Sequence, residues 1–379
     1  MKRKLVAATI LLIAIVLVSI FVLSQWLDEE LKPAEFYVGV EVAYANATAR
    51  DVEIMVDKVK DYTNLVVVGS PAISLNETAL NETCNYIKNA GLNFIVLFTD
   101  STMYTTFNPF LWIAEAPQKY GDQFLGIYRL DEPGGNQMDN GRVQLVGAGN
   151  ATSYSEAATL YTMYLGIIVN YYLNFAPQVF TADYTLQWFD YKSNYSAVFT
   201  EFASNDSNEI AVAECRGAAT NFGRDWGTII GWKYDAQPYI ESGTELLADL
   251  ISAYKAGAKY AIVFDYPEVG TYGTLGDEHF AALQQFWDYI QDNPQDFGSQ
   301  KAKAAYVLPE DYGFGLRRAN DRIWGLFPAD ANSTTVWDDV NKLVTTYGFN
   351  FDIIYDEPGV VDAARNRYER VVFWNETVT

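Results

Sequence analysis

Apolar and polar positions along this chain follow two alternating periods. Short runs such as Phe36–Val42, Leu65–Gly69 and Asn93–Phe98 are apolar almost throughout, the signature of strands buried on both faces. Between them the spacing becomes helical. Ala47–Tyr62 places Val52, Met55, Val56 and Val59 on one face, and Asn76–Ala90 ends at Gly91, a common helix stop. The alternation continues with a helix over Pro109–Tyr120 and a strand over Phe124–Leu130. A helix then runs from Ser153 to about Phe175, opened by Ser153 and Glu156 at capping-box spacing. Strands over Gln178–Tyr184, Ser196–Phe202, Thr228–Tyr234 and Lys259–Tyr266 each precede a helix, the last over Asp277–Gln291.

Eight βα units within residues 36–292 have the count and length of an α/β (β/α)8 barrel (TIM barrel). A doubly wound open sheet is the rival arrangement, but it rarely needs so many regular units. Asp292–Gly298 (DNPQDFG) reads as a boundary. Residues 299–379 then carry strands over Ala302–Leu308, Phe349–Tyr355 and Arg370–Trp374 and a helix over Thr334–Tyr347, enough for a small α/β domain.

The N-terminus follows a third pattern. Lys2, Arg3 and Lys4 precede Leu5–Leu23, which has no charge and is long enough to span the roughly 30 Å hydrocarbon core of a bilayer. No small-residue cleavage site follows, and Trp26 suits the membrane interface, so residues 1–26 read as an uncleaved signal anchor and transmembrane helix. Residues 27–35 form a polar stem. The basic residues hold the N-terminus inside, so the rest of the chain is expected to be extracytoplasmic, single-pass at the cell membrane. Asn-x-Ser/Thr sequons at Asn46, Asn76, Asn81, Asn150, Asn194, Asn205, Asn332 and Asn375 agree with a glycoprotein exterior.

Charge narrows the partners. The formal net charge of -22 disfavours nucleic acid, which needs a positive footprint. Two cysteines, Cys84 and Cys215, cannot make a disulfide framework. They fall on helices far apart in an eight-fold ring, so both are expected free and buried. The one histidine, His279, opens a helix in GDEHF and reads as structural. With so few His and Cys, zinc sites and a Ser-His-Asp triad are disfavoured, so no metal is assigned. The glycines of EPGGNQMDNG fit neither phosphate-loop spacing, and no cofactor is expected.

Chemistry is left to carboxylates at the strand ends, where barrels build their sites. The stretch Phe124–Gly135 (FLGIYRLDEPGG) delivers Asp131 and Glu132 to a loop mouth. The other strand ends offer Glu41, Asp100, Asp183, Glu201, Asp235, Asp265 and Glu268, together with Tyr44, Tyr128, Tyr184, Trp232, Tyr234 and Tyr266. Flat rings stack on pyranose faces and carboxylates accept hydroxyl protons, so the combination points to carbohydrate. Two carboxyls can also split a glycosidic bond. Glu132, Glu201 and Asp183 are the catalytic candidates; Glu41, Asp131, Tyr184, Trp232, Tyr234 and Asp265 are candidates for binding the sugar.

In this layout the chain resembles (β/α)8 glycoside hydrolases of the β-galactosidase-like type, which carry a Rossmann-like domain after the barrel. It is also similar to membrane-anchored archaeal surface proteins. The resemblance covers Phe36 to about Trp374 and implies an acid/base carboxylate after strand four, the place of Glu132 in RLDEPGG. It also implies a nucleophilic Glu after strand seven, where this chain reads TIIGWKYD, without one. Glu201 or Asp183 is then the substitute, or the barrel binds glycans or builds the cell surface without catalysis. Arg317, Arg318 and Arg322, beside Trp324, are read as salt-bridging groups, or else as a lid or interdomain contact.

Overall fold

The structure is a computed structural model describing residues 35–99, 107–139, 151–204, 206–376 and 378. The expected anchor, nearly all of the stem, Asp100, Asn150 and Asn205 lie outside the described residues. Among those described, no helix is long and apolar enough to cross a membrane.

Eight strands form the centre: β1 (Tyr37–Val42), β2 (Leu65–Val68), β3 (Asn93–Leu97), β4 (Phe124–Tyr128), β5 (Val179–Asp183), β6 (Ala197–Phe202), β7 (Asp225–Ile230) and β8 (Tyr260–Asp265). They pair in sequence order, and β8 returns in parallel onto β1, from Tyr37 opposite Tyr260 to Val42 opposite Asp265. That closing pair excludes the open sheet. Strand seven starts three residues earlier than the apolar pattern predicts. Its first residue, Asp225, keeps its carboxylate at the surface, 2.7 Å from the Nζ of Lys259, while its backbone pairs opposite Ala197. Strand seven therefore ends at Ile230, and Tyr234 and Asp235 lie beyond the barrel rim.

Side chains on the inner faces fill the barrel. Phe180 stacks on Phe199 and Tyr37 on Tyr260, with ring centroids 5.4 and 5.1 Å apart. Such bulk needs space opposite it: a Cβ on Gly227 would lie 2.6 Å from the Tyr260 Cβ and 2.8 Å from the Phe199 ring. The lower barrel is thus a packed core, and any site must lie above it.

The outer layer is helical. α1 (Ala49–Val59) buries Val52, Met55, Val56 and Val59 as its periodicity requires, and a Thr48–Asp51 capping box starts it. α2 (Pro71–Ser74), α3 (Glu77–Asn89), α4 (Pro109–Tyr120), α5 (Pro133–Met138), α6 (Tyr154–Tyr172), α7 (Gln187–Lys192), α8 (Asn208–Phe222), α9 (Gly243–Ala256) and α10 (Asp277–Asp292) follow. α5 occupies a stretch the sequence presents as a turn. Pro133 suits a first helical position, where a missing N–H costs nothing. Cys84 on α3 and Cys215 on α8 are free and buried.

A second, three-stranded parallel sheet follows, ordered β10 (Phe351–Tyr355), β9 (Ala304–Leu308), β11 (Arg370–Phe373), with helices α11 (Ser333–Tyr347) and α12 (Val360–Arg367). It belongs to the same compact unit as the barrel. α8 joins the two: a Cβ on Gly217 would overlap the Ile353 carbonyl oxygen, so only glycine allows the approach. Next to it the buried Arg216 guanidinium donates to Asp352 at 2.8 Å and to the carbonyls of Gln300, Phe349 and Phe351. Tyr368 donates to the second Asp352 oxygen at 2.8 Å. Removing one partner of such a pair leaves a buried charge uncompensated. Arg216→Met should therefore cost about 3–5 kcal/mol in urea unfolding; an unchanged midpoint would dismiss the clamp.

Candidate functional site

A cavity of about 780 Å³ opens at the C-terminal ends of the strands. That size falls in the roughly 300–1,000 Å³ range of small-molecule sites. Glu41 from β1, Asp131 and Glu132 after β4, Glu201 from β6 and Trp232 after β7 all line it, with Tyr128, Tyr184, Phe264 and Tyr266 among its rings. Residues scattered over the sequence therefore meet at one mouth, as the strand-end reading anticipates.

The turn after β4 has an unusual backbone. Leu130 and Glu132 both lie in the left-handed region, at φ 62° and 47°, where side-chained residues are rarely found. Other contacts hold it there. The Glu132 N–H donates to the Ala182 carbonyl at 3.0 Å, and the Thr181 hydroxyl donates to the Leu130 carbonyl. The deeper support is Asp183. Its carboxylate accepts the N–H groups of Gly134 and Gly135 at the start of α5, and those of Tyr184 and Thr185 in its own turn. Side chains at Gly134 or Gly135 would collide with the Thr185 carbonyl or the Tyr184 ring.

Asp183 is therefore placed differently from its role as a catalytic candidate. It is fully buried, does not line the cavity, and turns its oxygens to backbone N–H groups. Asp265 is also buried away from the cavity, accepting from the backbone and hydroxyl of Thr274 at 2.7 and 3.2 Å. Burial pushes its carboxyl up to about 7. It fastens the loop after β8. Tyr234 is 45% exposed and outside the cavity, a consequence of the earlier end of β7. His279 is held at both nitrogens, Nδ1 accepting from the Gly276 N–H and Nε2 lying 2.9 Å from the Glu241 carbonyl.

The remaining carboxyls crowd one another. Burial raises Glu201 well above the usual carboxylate range, and the charges of Glu132, Asp131 and Glu41 and a hydrogen bond with Glu132 push the same way. Glu201 and Glu132 line the same mouth, so the charge of Glu132 bears directly on the Glu201 carboxyl. Glu41 is raised by burial and then by Asp131. Asp131 opens onto the cavity, yet the walls of the mouth raise it too, against a hydrogen bond donated by the Tyr128 hydroxyl. Among the described residues no group of three or more His, Cys, Asp or Glu side chains is arranged to hold a metal ion.

Part of the wall escaped the strand-end reading because it comes from the appended unit. Gly315, Leu316 and Arg317 from the segment after β9, and Trp337 and Asn341 from α11, line the cavity. Arg317 bridges to Asp321 at 2.8 Å and across to Asp139 at 3.0 Å, and its guanidinium lies 5.8 Å from the centre of the Tyr184 ring. It makes salt bridges and an interdomain contact at once. The Thr185 hydroxyl donates to the Gly315 carbonyl and the Gln137 amide to the Trp324 carbonyl, locking this segment onto the barrel. Glu214 on α8 also lines the cavity.

No protein-family model matches the chain, and no curated protein matches it. Solved structures show loose likenesses. A structure of the pneumococcal virulence factor StrH, from work on N-glycan recognition and hydrolysis, is 9% identical, with 69% of this chain and 85% of that one covered and a TM-score of 0.45. An α-L-fucosidase from Vibrio sp. strain EJY3 is 10% identical, covering 69% of this chain and 55% of that one at a TM-score of 0.41. A D-psicose 3-epimerase from Clostridium cellulolyticum H10 is 11% identical, covering 69% and 98% at 0.36. Likeness this loose says nothing of chemistry, which rests on the residues themselves.

Of the sequon asparagines described, Asn46, Asn76 and Asn375 are exposed, while Asn81, Asn194 and Asn332 are partly buried. Asn81 is further engaged as acceptor for Trp112, Lys119 and Tyr120.

The raised carboxyls set the pH dependence of stability. Burial lifts Glu214 to about 8 and Asp190 to about 7, above the roughly 4 of unfolded carboxyls. Between about pH 4 and 8 the folded chain therefore keeps protons that the unfolded chain releases, and stability falls as pH rises. The exposed carboxylates held low, such as Asp57 and Glu156, are screened by water and act only at the acid end. Thermal melting should give a higher Tm at pH 5 than at pH 8.5; the reverse order would contradict the buried protonated state.

Proposed function

We propose that the chain is a barrel hydrolase acting on carbohydrate, with Glu201 and Glu132 as its working pair. The observation that carries this reading is that the two carboxyls line one aromatic-lined mouth, where burial and the charge of Glu132 raise Glu201 well above the usual carboxylate range. A glycosidic bond needs a protonated acid at the leaving oxygen and a second carboxylate as nucleophile or base. Glu201, raised by burial and by the neighbouring carboxylates, is the group suited to carry the proton. With a sugar between them, Glu201 protonates the leaving oxygen while Glu132 attacks or stabilises the anomeric carbon. This assigns the acid role to β6 and not, as the family resemblance implies, to the carboxylate after β4.

Separation decides the stereochemistry. Retaining enzymes hold their carboxyls about 5–5.5 Å apart, inverting enzymes about 6.5–9.5 Å. The two glutamates lie near enough to act on one another, which suits the shorter span better than the longer. Retention of configuration is expected. Trp232, stacked with its ring centroid 5.6 Å from that of Tyr266 and donating to its carbonyl, offers a fixed platform for the sugar face. The anchor expected at residues 1–26 and the exposed sequons support an extracytoplasmic setting for this activity. The absence of a glutamate at the end of β7 favours one competing reading, a barrel that binds glycans without cutting them.

Assays on chromogenic glycosides, with binding measured in parallel, separate the two. Glu201→Gln keeps shape but removes the transferable proton, so turnover should fall by about 10²–10⁴ while binding persists. Wild-type rate should also decline as pH rises through the raised Glu201 pKa, and product analysis by NMR should show a retained anomer. A wild-type chain that binds sugars but turns over none of the panel would establish the binding reading.

A further inference from the structure

The cavity does not stop at the barrel mouth. Ser207, Ile210, Ala211 and Glu214 line it at helical spacing along one face of α8, and Trp337 and Asn341, four residues apart on α11, line it from the appended unit. These two helix faces line a part of the cavity, here called the side chamber, to which no catalytic role falls. Glu214 is 2% exposed, one of its oxygens accepts the Leu186 N–H, and its Oε1 has no hydrogen-bond partner. An unsatisfied polar atom at such depth is costly unless something fills the need. Trp337 is partly buried and lines the cavity.

We propose that this chamber is a second sugar subsite, taking the pyranose next to the one held at Glu132 and Glu201 in a neutral oligosaccharide. The inference rests on the carbohydrate reading of the mouth and adds its substrate class. A tryptophan face, an amide, an indole N–H and an unpartnered carboxyl oxygen suit a ring that is apolar on its faces and hydroxylated at its edge. The charges around it exclude acidic sugars. Arg317, the cation that lines the cavity, is already held by Asp321 and Asp139. Asp206, Asp131, Glu132 and Glu41 make the remaining field negative or neutral. The appended unit thereby has a job: it lengthens the site and selects for chain length.

The test uses the full chain in detergent, with tryptophan fluorescence and calorimetry. Neutral mono- to tetrasaccharides of gluco-, galacto-, manno- and N-acetylhexosamine type are titrated beside uronic acid oligomers. Affinity should rise from mono- to disaccharide in at least one neutral series. Trp337→Ala should weaken the longer ligands roughly tenfold, equivalent to about 1.4 kcal/mol, and leave the monosaccharide unchanged. Glu214→Gln, which conserves volume, should lower the same preference and retain the melting temperature, separating lost binding from lost fold. If neither change alters chain-length preference while glycosides are still cleaved, the chamber is not a subsite and the hydrolase reading stands. Chain-length preference lost in both variants of a chain without turnover keeps the subsite and removes the hydrolase. Failure to bind any neutral oligosaccharide, or tighter binding of the uronic acid series, overturns the inference.

Discussion

The site depends on a carboxylate that never touches the cavity. Asp183 gathers four backbone N–H groups from two successive βα turns and so ties the end of β5 to the start of α5. Without an acceptor there, the first turn of α5 would expose its unsatisfied N–H groups to a buried environment. With it, the residue before Pro133 is forced into a left-handed conformation, and the Glu132 side chain is thrown into the mouth. Backbone strain of this kind persists only where surrounding contacts over-determine it. Asp183 faces Asp190, itself the acceptor of the Tyr161 hydroxyl at 2.7 Å, so a second buried carboxyl and its tyrosine fix the first.

The same economy of charge runs through the molecule. A chain of net charge -22 would repel itself if every carboxylate at the mouth were ionised. Burial raises Glu41 and Glu201 well above the usual carboxylate range, which favours their neutral forms. Desolvation is the larger cause at Glu201, so its raised pKa is a property of where β6 ends. Arg216 supplies the opposite solution on the far side of α8, one cation satisfied by a carboxylate and four carbonyls.

Much of this was legible in the order of residues alone. Near-continuous apolar runs alternating with helical faces reveal the barrel because strands covered on both sides leave no polar face to hide, and the chain closes where that count predicts. Glu41, Glu132, Glu201 and Trp232 meet because strand ends in a closed parallel barrel can only converge. Two things were not legible. Strand seven begins with a charged residue, Asp225, whose side chain stays in water while its backbone enters the ladder; hydropathy sees only the charge. Asp183 and Asp265 share the strand-end position of Glu201, and sequence position does not tell which way a side chain turns. Glycines were the available signal. Gly134 and Gly135 bring N–H groups close to one carboxylate, and a Cβ on Gly273 would overlap the Asp265 Oδ1.

The appended sheet was visible as an element but not as a wall. Nothing in the periodicity of Ala304–Phe373 indicates that Arg317, Trp337 and Asn341 face the barrel mouth, because long-range docking leaves no local pattern. What betrays it in hindsight is α8, whose residues at Ile210, Ala213 and Ala218 are buried alongside Glu214 and Arg216, far more than one barrel-facing stripe requires. A helix buried nearly all round must be covered on both sides. The barrel covers one and the small sheet the other, and residues of α8 and α11 together complete the cavity wall. The position of Glu214 in that wall follows from helical geometry alone: one turn beyond Ile210 and Ala211 it shares their face, and one short of Gly217 it misses the tight seam where the two units close.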